Sequence, residues 1–123
     1  MENKDLQSVL KKNSFTKLAG SEIYYLKTPV ALNRTSNGFT IYAVVKDNKI
    51  LFSDNGQLLD SFCVLSSEYE HVKTKIIKEN IELNNLYVEN NAIKMEVNEL
   101  RFCWDVSRFI KEIIMLEDLI EKL

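Results

Sequence analysis

The sequence predicts a single α+β domain spanning residues 1–123. Its antiparallel sheet is made of two hairpins plus a flanking strand, with helices mainly on one face and a long C-terminal helix. Three observations carry that prediction. Asp47-Asn48 separates two apolar runs, Phe39 to Val45 and Ile50 to Phe52. Asn90-Asn91 does the same between Leu86 to Glu89 and Ala92 to Val97. Asn and Asp tolerate the left-handed backbone of a tight two-residue turn, so both sites read as hairpins. From Asn98 onward, Phe102, Val106, Phe109, Ile113, Leu116 and Ile120 recur at helical period, a stripe widened by Ile110 and Ile114.

Taken in order, Asn3 to Lys12 predicts a short helix. Leu6, Val9 and Leu10 share a face, and Lys11-Lys12 complement its C-terminal dipole. Ser14 to Lys27 is extended, turning at Gly20-Ser21. Thr28-Pro29 ends it, because the residue before proline is pushed to extended geometry and proline cannot donate to a ladder. Val30 to Asn37 is a polar crossover closed by Asn37-Gly38. In the strand that follows, Phe39, Ile41, Ala43 and Val45 face one way and Thr40, Tyr42 and Val44 the other. Both faces are partly apolar, which predicts a central strand covered on both sides. After Ile50 and Phe52, Asp54 stands as a helix N-cap with Gln57 at the reciprocal capping-box position. Leu58, Leu59, Phe62 and Cys63 then give a short apolar helical face. Ser66 or Ser67 caps a second helix to about Glu79, with Tyr69, Val72 and Ile76 buried and Asn80 as C-cap. Asn98 caps the last helix, although Leu100, Phe102 and Trp104 also alternate as a strand would.

The central stretch carries a resemblance. Thr28-Pro29, the basic Arg34, IYAVV from Ile41 and ILFSDNG from Ile50 resemble an uncharacterised bacterial and prophage family known as domain of unknown function 1828. Its pattern is TP, a polar loop, IYV, and a strand ending in DDG. Asn55 departs from it, replacing the second acidic residue and weakening a paired-carboxylate site at Asp54. The resemblance implies a shared fold and a mobile-element context. It brings no activity with it.

Composition sets the outer limits. A chain of 123 residues with 46% hydrophobic content can bury a core without disulfides or metals. A formal net charge of −2 gives no global attraction to nucleic acid or an anionic membrane. Cys63 and Cys103 lie in apolar helical patterns without CxxC spacing. They read as reduced, inert core residues of a cytoplasmic protein. The opening MENKDLQ is polar, so no secretory signal is expected, and the apolar runs are too short to span a bilayer.

Little chemistry is written in the side chains. His71 is the only histidine, which excludes a two-histidine metal site. With three glycines in all, a phosphate-cradling loop is not expected. No catalytic residue, metal or cofactor is therefore assigned. Asp54, at a strand end, is the best centre for a metal-dependent nuclease or hydrolase, with Glu22 or Asp60 as companions. Its plainer role is helix capping. His71, Lys75 and Lys78 share a helix face that could touch phosphates, and the plainer alternative is a solvated surface. Arg34 and Asp54 mark a candidate functional loop region. Trp104, Arg108, Lys111 and Met115 lie nearly opposite the core stripe of the last helix. Trp, Met and Arg are enriched in protein interfaces, and the plainer alternative is cover by another part of the fold. The leading expectation is a small non-enzymatic, prophage-type accessory protein. It would bind a protein partner or a second copy of itself and modulate a host or defence component.

Overall fold

The computed structural model describes residues 3–32, 38–62 and 70–123. Among them, six strands form one antiparallel sheet: β1 (Thr16–Lys17), β2 (Tyr24–Lys27), β3 (Thr40–Lys46), β4 (Lys49–Ser53), β5 (Tyr87–Glu89) and β6 (Ala92–Val97). Their order across the sheet is β1-β2-β3-β4-β6-β5. Among the described residues, four α-helices accompany them: α1 (Asn3–Lys12), α2 (Gln57–Ser61), α3 (His71–Leu83) and α4 (Phe102–Lys122). This is the α+β domain expected, with the two hairpins joined where β4 pairs with β6.

Both hairpin turns form as their residues require. Asp47 and Asn48 have φ of 53° and 60°, and Asn90 and Asn91 have 51° and 66°. Two successive left-handed residues match the right-handed twist of the strands they join. Register then fixes which side chains share a face. Tyr24, Ala43, Phe52 and Met95 align across four strands, beside Val45, Ile50 and Val97. This face is buried under the helices. Phe52 is the hub, with its ring 5.6 Å from Phe15, 5.6 Å from Phe102 and 5.8 Å from Phe109.

The opposite face departs from expectation. The sequence predicted cover on both sides of β3, yet Tyr42, Val44 and Leu51 are only half-buried. Their apolar character reflects cross-strand packing among themselves, which suits a half-exposed pleated surface as well as a buried one.

α3 differs more. It runs to Leu83, past the predicted C-cap Asn80, and Asn84 ends it. Ile77 and Ile81 are its buried residues, whereas Val72 is 70% exposed and Ile76 is also exposed. The predicted stripe was one face off because Val72 and Ile76 sit four apart just as Ile77 and Ile81 do. Spacing alone cannot choose between two such pairs. The predicted caps Ser66 and Ser67, together with Tyr69 and Cys63, lie outside the described residues.

α4 buries Phe102, Phe109, Ile113, Leu116 and Ile120 as the stripe predicted, with Val106 and Ile110 half-buried and Ile114 exposed. Asn98 caps not α4 itself, whose cap position is Arg101 with no side-chain bond, but the turn that leads into it, its Oδ1 accepting from Leu100 N at 3.0 Å. A 3-10 turn, Glu99–Arg101, comes between the cap and α4. Asp105, buried in the first turn of α4, accepts from Asn98 N at 2.8 Å and closes the cap from the other side.

Candidate functional site

Asp54 sits at the junction of β4, α2 and β6 and is fully buried. Its Oδ1 accepts from Ile93 N at 2.8 Å and Gly56 N at 3.0 Å, and its Oδ2 accepts from Leu58 N at 3.1 Å. The N-cap position of α2 belongs to Gly56, not Asp54 as expected; from two residues earlier the carboxylate holds the first turn of α2 through Leu58 N and pins β6 to the end of β4. Burial pushes its pKa above the ordinary carboxylate value, the three N–H bonds pull it back, and the charge of Asp60 adds a little upward. The predicted capping box does not form. Gln57 Nε2 donates instead to the carbonyl oxygens of Thr40 (2.8 Å) and Asp54 (2.7 Å), while Asp54 N donates to Ile93 O at 3.0 Å. The turn depends on left-handed backbone at Asn55 and Gly56, with φ of 54° and 81°. A Cβ at Gly56 would come within 2.8 Å of Asp60 Oδ2.

With both oxygens committed to backbone N–H groups, Asp54 offers a metal little. Of its candidate companions, Asp60 is close enough to influence its ionisation, and both Asp60 and Glu22 are exposed. Among the described residues, no group of three or more His, Cys, Asp or Glu side chains is placed to hold a metal ion. Arg34 lies outside the described residues.

The outer side of α4 is a second region. Trp104 is 69% exposed and Met115 53% exposed. Lys111 is exposed between them. Arg108 is half-buried, and its Nη2 donates to Asn84 O at 2.6 Å, tying α4 to the end of α3. Three of the four residues therefore face solvent and the fourth serves the fold. Trp104 borders a depression shared with Val9 and Asn13 at the end of α1, while Met115 borders another shared with Ala31 and Leu32. Cys103 is exposed, with Sγ 3.6 Å from Asn13 Oδ1, and is not the core residue the sequence predicted. His71, Lys75 and Lys78 are all exposed on α3.

The half-exposed face of the sheet is the third region, and sequence reasoning passed over it. Strand register aligns Tyr25, Tyr42, Ser53, Lys94 and Tyr87 in one row across five strands. A cleft of about 420 Å³ opens on this face, with Leu18, Ile23, Val44 and Leu51 at its apolar end and Asn55 and Asn90 at its polar end. Lys94 Nζ donates to Glu89 at 2.9 Å, which holds the Glu89 carboxyl below its ordinary pKa. Burial raises the Tyr87 phenol, so it stays neutral through physiological pH. Alternation along each strand was the signal that could have revealed this row, but the strand pairing needed to line it up is not in the sequence.

Fold and surface together define a small α+β protein with a helical side and an open sheet side. No protein-family model matches the chain, and no curated protein or solved structure is significantly similar to it. Among the described residues, no helix is long and apolar enough to cross a membrane.

Proposed function

We propose that this chain is a non-enzymatic accessory protein that acts by binding another protein. The observation that supports this best is the exposure of Trp104 and Met115 on α4, whose core stripe is already satisfied on its other side. A large aromatic and a thioether left in water on one helix are the side-chain types that anchor interfaces. The resemblance seen in the central ribbon favours a mobile-element setting, in which the partner would be a host or defence component that the protein inhibits or modulates. A second copy of the chain is the other partner of this kind, since two-fold dimers need only one self-complementary patch.

A metal-dependent nuclease or hydrolase centred on Asp54 has the geometry against it, because the carboxylate is enclosed and its lone pairs already accept from three N–H groups. The test of the binding reading compares wild type with Trp104→Ala. Quantitative capture from host lysate and sedimentation are run on both, with circular dichroism as the fold control. A partner, or a dimer, held by wild type and lost by a folded Trp104→Ala supports the reading. Identical capture and identical monomeric sedimentation for both proteins reject it.

A further inference from the structure

We infer that the open face of the sheet is a platform for single-stranded nucleic acid, with bases stacking on Tyr25 and Tyr42 and phosphates met by the surrounding lysines. This goes beyond the protein-binding reading and uses the opposite side of the molecule. Tyr25 on β2 and Tyr42 on β3 are register partners, so their side chains rise from neighbouring strands on one face. Adjacent strands lie about 4.8 Å apart, so the two tyrosines start from neighbouring positions on that face, each half-buried. Tyr87 lies three strands further along the same row, about 14 Å from Tyr42. Base stacking on sheet aromatics is sequence-tolerant and needs unpaired bases, which selects single strands over duplex.

Charge supports the same occupant. The strand register places Lys27, Lys46, Lys49 and Lys94 on this face, against Glu89 and Glu96. The face thus has two positive charges in excess on a chain whose formal net charge is −2. Lys94 and Lys49 are bridged to Glu89 and Glu96 at 2.9 and 3.4 Å. Lys27 and Lys46 are exposed at the margins, where a polyanion would reach them. An apolar ligand would leave these charges unused, and an acidic protein surface would leave the paired tyrosines without a π partner.

The experiment is fluorescence anisotropy with labelled oligo(dT) and oligo(U) of about 12 nucleotides, starting at about 20 mM salt, with a duplex of equal length as competitor. Wild type should bind both single strands, weaken as salt rises, and prefer them to duplex. Two lysines used on phosphates would give a slope of about −1.4 in log K against log salt, and four about twice that. Tyr42→Ala should weaken binding about tenfold or more, and Tyr42→Phe should retain it, because the ring and not the hydroxyl is used. If Tyr42→Ala does not fold, the exposed pair Lys27→Glu and Lys46→Glu decides, with a loss of at least tenfold expected. A triple change of His71, Lys75 and Lys78 to alanine should have no effect. The inference is overturned if wild type binds neither oligonucleotide at low salt. It is also overturned if only the α3 triple change abolishes binding, or if the cleft takes up a hydrophobic dye that oligonucleotides do not displace.

Discussion

At the scale of single residues, Asp54 does the most to define the fold. Removing its carboxylate leaves three N–H groups in the interior without partners. Asp54→Ala should therefore cost about 3 kcal/mol or more, above the range of an ordinary N-cap. A serine hydroxyl reaches one of the three donors and should recover only part of that loss. The pH dependence has a definite sign. The folded carboxyl titrates above the unfolded value of 3.8 because burial outweighs its hydrogen bonds. Between the two values only the unfolded chain releases its proton, so rising pH favours unfolding. The stabilising contribution of this group is full below about pH 4 and is lost as pH rises through the folded pKa. Asparagine does not titrate, so urea melts should show a larger cost for Asp54→Asn at about pH 4 than at about pH 7. A larger cost at neutral pH would show that the N–H bonds dominate. Cys103 gives a second prediction. It is exposed, so a thiol reagent should label it in the folded protein, and Cys103→Ser should remove that fast fraction. Labelling that waits for denaturant would put the thiol back in the interior.

At the scale of elements, the hairpin turns determine register. Asn91 holds φ at 66°, and its buried Oδ1 has no hydrogen-bond partner among the described residues. Glycine takes the same backbone without steric cost and carries no side-chain oxygen to bury. Asn91→Gly should therefore raise stability by about 1 kcal/mol, read as a higher thermal midpoint. An unchanged or lower midpoint would mean that the amide makes a bond worth keeping. Asp105 is the element-scale feature hardest to foresee. It reaches back to Asn98 N across the 3-10 turn, a spacing outside the usual capping box.

At the scale of the whole molecule, the helices cover one face of the sheet through an aromatic cluster centred on Phe52. Phe52→Ala would leave a cavity facing three phenyl rings and should cost about 3–5 kcal/mol, enough to unfold a marginal domain. The molecule thus has two exposed sides with different chemistry. On the helical side, Trp104→Ala should leave the thermal melt unchanged and weaken association by about 2 kcal/mol, measured by sedimentation or by capture of the partner. A melt several degrees lower with no change in association would instead make Trp104 a packing residue.

The sequence by itself determined the elements whose signals are local. The two-residue turns at Asp47-Asn48 and Asn90-Asn91, the cap at Asn98, the stripe of α4 and the boundaries of α1 follow from backbone preference and periodicity over a few residues. Asp54 was legible at the helix start for the same reason, but its third hydrogen bond joins it to Ile93, a partner thirty-nine positions away. Only the tertiary structure decided which of two equally spaced pairs α3 buries, that Cys103 faces solvent, and that Tyr42 and Val44 stand on a half-exposed face. Each depends on what lies across the sheet or beside the helix, and amphipathic spacing states that a face exists without stating what packs against it. The tyrosine row is the extreme case. Tyr25, Tyr42 and Tyr87 come from three separate segments, and hydrogen-bonded strand order alone puts them in line.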